Sequence, residues 1–358
     1  MQKIRVGIVG AGGMGEVHAR YYREHPDVEV VAVADTLVEK AYDFAGRWGI
    51  PKANVFSDYV EMFDQVRVDA VSVCTPHAVH AGPAIEALKR GIHVNVVKPM
   101  ASTGSEAMEM YRAAKESGKV LMVCFHTRWS PELQLAKRII SSGSLGEIYY
   151  GEATLGGRRR GIPGWGGRRP SFITRDMAGG GVLLDLGCYV IDNFMYVLDH
   201  PKPVTVTAVT ASAIGPQREA VVEGVWSWDP SLFEVEDFVA AFIKFDGRLA
   251  ILLKESWAMH ANTLGSSFLL GTKGGLKFSP FELYRDEFGY MSTSTFTLPQ
   301  VDVYGEAMRA FIEAVKRGGP PPIDPREIVI EMFIMDAIYE SAGKGKEVEV
   351  KIPSMLFN

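Results

Sequence analysis

Cysteine is scarce: three residues in a chain of 358, too few and too scattered to frame a disulfide-stapled fold. Cys74, Cys124 and Cys188 therefore fit a reducing compartment. A basic excess is also lacking. Lys and Arg number 38 against 43 Asp and Glu, for a formal net charge of -5. That balance argues against nucleic acid or an anionic membrane as partner, since either normally selects positive charge. No apolar run is long enough to span a bilayer. The first residues, MQKIRVGIVGAGGMG, lack the apolar core and small-residue cleavage site of a signal peptide. The expectation is a cytoplasmic protein. Internal repeats and low-complexity linkers are missing as well, so extended arrays are not expected.

What is present is a hydrophobic content of 47%, enough for two separate cores. The first third alternates short apolar runs with helical periodicity. Ile4–Val9, Val28–Ala34, Ala70–Val73, His93–Val97 and Val120–Cys124 read as strands. Helical patterns lie between them at 14–23, 38–48, 78–90 and 105–117. This order predicts an α/β architecture, a doubly wound parallel sheet covered on both faces. After Phe125 the rhythm changes to helix 132–141, strand 148–155, a Gly/Arg-rich stretch and helix 182–198. Longer β-rich runs follow at 204–211, 235–245, 249–257 and 268–270. Asp246-Gly247 and Gly274-Gly275 supply hairpin signals, and two helices, 304–317 and 325–342, precede a last short strand. Residues 1–125 are expected to form a dinucleotide-binding domain. Residues 126–358 are expected to form an α+β domain with a large, open-faced, mostly antiparallel sheet.

Gly10-Ala11-Gly12-Gly13-Met14-Gly15 is a G-x-G-x-x-G between a strand and a helix. Its glycines permit a tight turn, close backbone approach to a pyrophosphate, and close packing of helix on sheet. The helix N-terminus then faces the negative charge. Asp35 ends the second strand, the place of a carboxylate that accepts hydrogen bonds from the adenosine ribose and repels a 2′-phosphate. The cofactor is expected to be NAD rather than NADP. The bland alternative is a glycine turn with a helix-capping Asp.

Two further segments carry chemistry. Lys98 leaves an apolar strand at its C-terminal end, where open parallel sheets bind ligands. There it can serve as acid, base or hydrogen-bond donor, or simply extend to water. In Gly179-Gly180-Gly181-Val182-Leu183-Leu184-Asp185-Leu186-Gly187-Cys188-Tyr189-Val190-Ile191-Asp192, helical spacing puts Asp185, Tyr189 and Asp192 on one face. Such a polar stripe on an apolar helix needs a ligand or a buried network. Cys74-x-x-His77-x-x-His80, with His126, has metal-ligand residue types but shows no closed site, and no metal is expected. Arg158-Arg159-Arg160, Trp165 and Arg168-Arg169 form a basic loop. It suits a phosphosugar, nucleotide sugar or glycoside, or else is a solvated loop or subunit contact.

Together these features resemble the Gfo/Idh/MocA family of oxidoreductases over nearly the whole chain. The resemblance rests on GIVGAGGMG, Cys74-Thr75-Pro76 with His80, Lys98-Pro99, Gly179 through Asp192, EVEDFVAAFIKF and the LLGTKGG turn. It implies an NAD(H)-dependent enzyme moving hydride to or from a carbinol carbon of a sugar, sugar derivative or cyclic polyol. It implies Lys98, Tyr189 and Asp185 as catalytic residues. Gly10, Gly12, Gly13, Met14, Gly15, Asp35, Thr75, Pro76, His80, Lys98 and Arg128 are implied at the cofactor, with a structural ion pair as the alternative for Arg128. Substrate contacts are implied for Lys98, Arg128, Trp165, Asp185 and Tyr189. A homodimer or homotetramer through the C-terminal sheet is implied too. The chain departs from the family pattern twice: Val97 replaces the Glu of the Glu-Lys-Pro motif, and Tyr189 replaces a His. Tyrosine there resembles the glucose–fructose oxidoreductase and dihydrodiol dehydrogenase branches. A sugar-to-sugar hydride shuttle with tightly held nicotinamide, or a dinucleotide-binding sensor without turnover, are the rival functions.

Overall fold

The structure, a computed structural model, describes residues 3–156, 161–163, 170–222 and 227–357. The chain divides into two compact units, 1–126 with 302–329, and 127–301 with 330–358.

The first unit runs β1 (Ile4–Val9), α1 (Gly13–Glu24), β2 (Val28–Ala34), α2 (Val38–Trp48), β3 (Val55–Phe56), α3 (Tyr59–Gln65), β4 (Ala70–Val73), α4 (Ala81–Lys89), β5 (His93–Val97), α5 (Gly104–Ser117) and β6 (Leu121–Cys124). The six strands are parallel in the order β3-β2-β1-β4-β5-β6. Every residue of β4 and β6 is buried, as a parallel sheet covered on both faces requires. The strand order reverses between β1 and β4, so the loops leaving those two strands flank the switch point where such sheets bind ligands. Helix boundaries follow local chemistry. Thr103 caps α5 by accepting the Glu106 N–H, and Gly118 ends that helix in the left-handed region.

The second unit contains α6 (Pro131–Ser141), β7 (Ile148–Gly156), α7 (Arg175–Ala178), α8 (Cys188–Val197), β8 (Pro203–Ala211), β9 (Phe238–Phe245), β10 (Ala250–Ser256), β11 (Phe268–Gly271), β12 (Gly274–Phe278), β13 (Phe281–Glu287) and β14 (Tyr290–Thr295). The chain closes with α9 (Val303–Arg317), α10 (Pro325–Lys344) and β15 (Val348–Glu349). Nine strands form one mixed sheet, β14-β13-β12-β11-β7-β10-β9-β8-β15. Only β7 and β10 pair in parallel; the other neighbours described are antiparallel. The expected fold class therefore holds: a Rossmann sheet joined to an α+β domain with a large, mostly antiparallel sheet.

Residues 302–329, which chain order groups with the second domain, pack within the first unit. The apolar stripe of α9 explains this, burying Ala307, Met308, Phe311 and Ile312. Tyr304 stacks on His126 with ring centroids 3.6 Å apart, and Asn95 Nδ2 donates to Met308 Sδ at 3.5 Å.

Candidate active site

The glycine loop lies between β1 and α1, as its motif predicts. A Cβ on Gly10, whose φ is +99°, would fall 2.5 Å from the Cys74 carbonyl oxygen and 3.0 Å from Thr75 N. Glycine is required there because two strand ends meet backbone to backbone. A Cβ on Gly13, by contrast, would meet nothing within 4 Å. The first residue of α1 thus borders open space, and the N-cap, Gly12, offers no side-chain cap. Exposed N–H groups at a helix start with room beside them suit a phosphate. Met14 continues the first turn of α1.

Asp35 follows β2 directly. Its Oδ2 accepts the Ala11 N–H at 2.9 Å and its Oδ1 the Leu37 N–H at 2.9 Å. The carboxylate therefore ties the glycine loop to the end of β2, with Lys40 Nζ 3.9 Å from Oδ2. These residues fit a dinucleotide: an open cradle at the helix start and a fixed carboxylate one strand away.

Thr75 and Pro76 leave β4 beside Gly10. The Thr75 hydroxyl donates to the Val79 carbonyl at 3.3 Å. His80 is fully buried, with Nδ1 2.7 Å from the Pro99 carbonyl oxygen and Nε2 2.9 Å from that of Thr75. Burial lowers its pKa, and the two carbonyls oppose that. With both ring nitrogens facing backbone carbonyls, His80 is occupied holding the chain. Among the described residues no three His, Cys, Asp or Glu side chains are grouped to hold a metal ion. Lys98 follows β5 directly, and the Lys98-Pro99 peptide is cis. Val97, in place of the family carboxylate, is buried and pairs with Cys124 of β6. His126, just past β6, has its pKa pulled down to about 4 by burial and then by the Lys98 charge.

In the second unit the glycine-rich segment 179–181 opens the helix carrying Asp185 and Tyr189. A Cβ on Gly181 would fall 1.9 Å from the Glu236 carbonyl oxygen. The close approach brings the buried Glu236 carboxylate onto the helix start. It accepts the Gly181 N–H at 2.9 Å, the Leu183 N–H at 3.1 Å and the Tyr339 hydroxyl at 2.9 Å. Burial raises the Glu236 pKa, and these donors work against that. Asp237 accepts the N–H groups of Ala213, Ile214 and Gly215.

The helix is not uniform. Leu183–Gly187 form a π-helical turn, in which the Cys188 N–H reaches back five residues to Leu183, before α8 continues as an α-helix. A π turn advances fewer degrees per residue than an α turn, so the even spacing behind the expected Asp185–Tyr189–Asp192 stripe does not apply. Asp185 and Tyr189 are half-buried, whereas Asp192 is fully buried. Asp192 accepts from Arg128, with Nη2 to Oδ1 at 2.7 Å and Nε to Oδ1 at 3.0 Å. Arg128 also lies 3.7 Å from Glu331 and 5.0 Å from the Tyr196 ring. Its guanidinium is thus engaged in a buried ion-pair cluster. Trp165 and the arginines at 158–160 and 168–169 lie outside the described residues.

Sequence reasoning missed three residues here. The indole Nε1 of Trp257 donates to Asp185 Oδ2 at 3.0 Å, and Glu236 with Tyr339 anchors the helix start. Two adjacent carboxylates entering an apolar strand, Glu236-Asp237, were the available signal.

Residues 4–125 match the model of an oxidoreductase family with an NAD-binding Rossmann fold. Residues 133–277 match the GFO/IDH/MocA C-terminal domain. The chain belongs to the GFO/IDH/MocA oxidoreductases. It is 35% identical over 357 residues to D-glucoside 3-dehydrogenase of Escherichia coli (strain K12), covering 97% of each chain. It is 28% identical to levoglucosan dehydrogenase of Pseudarthrobacter phenanthrenivorans, covering 98% of this chain and 99% of that one. A solved structure of levoglucosan dehydrogenase with NADH and L-sorbose superposes with a TM-score of 0.83 at 26% identity, covering 99% of this chain and 100% of that one. The expected dehydrogenase acting on sugar hydroxyl groups agrees with what these relatives are named for. Among the described residues no helix is long and apolar enough to cross a membrane.

Proposed function

We propose that this chain is an NAD-dependent dehydrogenase that oxidises a secondary ring hydroxyl of a D-glucoside, with carbon 3 the first position to test. The observation that carries this reading is the full-length match to D-glucoside 3-dehydrogenase, 35% identical across 97% of both chains. Asp35 supports NAD over NADP, because a fixed carboxylate at the end of β2 opposes the charge of a 2′-phosphate.

When bound, nicotinamide supplies the hydride acceptor. The Gly10, Gly12, Gly13, Met14 and Gly15 loop would hold the pyrophosphate, Asp35 the ribose hydroxyls, and Thr75 and Pro76 would border the dinucleotide. Lys98 would donate a hydrogen bond to the reacting hydroxyl and favour its ionised form. The Tyr189 phenol would take the hydroxyl proton in oxidation and return it in reduction. Asp185 would orient the sugar through a second hydroxyl. Arg128 fits a supporting role better than cofactor contact, since Asp192 and Glu331 occupy its guanidinium.

A homo-oligomer through the second-unit sheet is also proposed. Strand register aligns Thr207, Phe242, Leu252, Glu152 and Phe268 across one face, opposite the buried Val206, Ile243 and Ile251. Phe242 and Leu252 are half-buried neighbours on this face, and Glu152 separates them from the half-buried Phe268, a mixed surface offered to a second copy. Light scattering at micromolar protein would return a dimer or tetramer mass. The three cysteines are free and buried, which suits the reducing cytoplasm.

The test is to follow 340 nm absorbance on mixing the protein with NAD or NADP and methyl glucosides, levoglucosan, free hexoses and inositols, a wavelength at which reduced nicotinamide absorbs (about 340 nm). Turnover with NAD and glucosides, lost in Lys98→Ala and reduced in Tyr189→Phe while NADH still binds, is the expected result. NADH binding with no turnover on any sugar would sink the reading in favour of a sensor.

A further inference from the structure

Trp257 follows β10 and is held at both backbone ends. Its N–H donates to the Asp237 carbonyl at 3.0 Å, and its carbonyl accepts the Gly161 N–H at 3.0 Å. The indole is 2% exposed, with Phe233 packed edge-on at 6.4 Å between centroids. An indole N–H donates only, and a buried one must find an acceptor. The acceptor is Oδ2 of Asp185 at 3.0 Å, 72 positions away in the chain. Asp185 itself sits in the π turn, where the regular α-helical ladder is interrupted.

We propose that Trp257 is a positioning residue for the reaction: its indole N–H fixes the rotation of the Asp185 carboxyl group. The inference rests on the catalytic role proposed above for Asp185. A donor bolted to the entry of β9 lets the carboxylate plane rotate little. Glu236 holds the start of the same helix, and its neighbour Asp237 receives the Trp257 N–H. The platform that sets the helix therefore also sets the residue that orients its carboxylate.

The test uses the full chain with the sugar that wild type oxidises in the panel above. Trp257→Phe keeps an aromatic ring and removes the donor. The expected result is a fall in kcat of at least tenfold, with sugar KM changed less than threefold and the NADH dissociation constant, from fluorescence titration, changed less than twofold. In an Asp185→Asn background the same substitution should cost less than threefold further, because Trp257 acts through Asp185. Full, multiplicative losses in the double variant would overturn the proposal. Full activity of Asp185→Asn would instead remove the underlying role of Asp185. Should Trp257→Phe fail to fold, indole N–H exchange in protein labelled with ¹⁵N-tryptophan decides the matter. One slow indole resonance in wild type should exchange at least tenfold faster in Asp185→Ala; an unchanged set of indole rates would overturn the tie.

Discussion

His80 Nδ1 lies 2.7 Å from the carbonyl oxygen of Pro99, the residue after Lys98, while its Nε2 lies 2.9 Å from the carbonyl of Thr75. One buried imidazole therefore faces the ends of both β4 and β5. A neutral ring has one N–H for these two carbonyl acceptors, and the shorter contact takes it at Nδ1. An Asn side chain places an amide donor near the Nδ1 position, whereas Gln places one near Nε2. His80→Asn is expected to keep kcat within about threefold, and His80→Gln to lower it about tenfold, the worth of one buried hydrogen bond at about 1–1.5 kcal/mol. Equal values for the two variants would reject this tautomer.

Asp35→Ala removes the acceptor of the Ala11 and Leu37 N–H groups and the negative charge at the end of β2. The expected loss in kcat/KM for NAD is about tenfold or more, because hydrogen bonds to a charged group contribute about 1.5–3 kcal/mol. The ratio of NADP to NAD efficiency should rise in the same variant. An unchanged ratio would show that discrimination lies elsewhere.

Gly13→Ala tests the cradle. A Cβ there meets nothing within 4 Å, so the melting temperature should stay close to wild type. The added methyl group occupies the space beside the α1 N-terminus, and NADH affinity measured by fluorescence should drop at least about tenfold if phosphate binds there. Unaltered affinity would place the pyrophosphate away from this turn.

Tyr339→Phe removes one of the donors that oppose the burial-raised pKa of Glu236. A carboxyl group with a raised folded-state pKa contributes stability below its unfolded value that is lost as pH rises through the folded one. Loss of the tyrosine hydroxyl raises that folded value further. The variant should therefore lose about 1–2 kcal/mol at pH 7.5 and less at pH 4.5, read by denaturant melts at both pH values. An equal loss at both would mean that Glu236 does not titrate with folding.

Much of the first unit was legible because its strands are short apolar runs bounded by turns, with β1, β2, β4 and β5 ending where their patterns end. The hairpin at Asp246-Gly247 joins β9 to β10 as its dipeptide predicts, with Gly247 at φ +82°. Gly274-Gly275, read as a turn, instead begins β12, and the turn falls one step earlier, at Thr272-Lys273. β13 and β14 escaped notice because β14 is largely exposed and carries no apolar period. β3 and α3 were missed for brevity. In the candidate site, Lys98, Asp185 and Tyr189 stand out by motif. The π turn and the Trp257–Asp185 bond do not, because the first changes the helical period and the second joins residues distant in sequence.

The return of α9 to the first unit sets an order of assembly during translation. The ribosome finishes β1 through β6 early, yet Tyr304 and Met308, which cover His126 and Asn95, emerge only near the end of synthesis. Until then the first unit has one flank of its core uncovered. Gene fragments cut after residue 126 would inherit the same gap, lacking the helix that buries Ala307, Met308, Phe311 and Ile312.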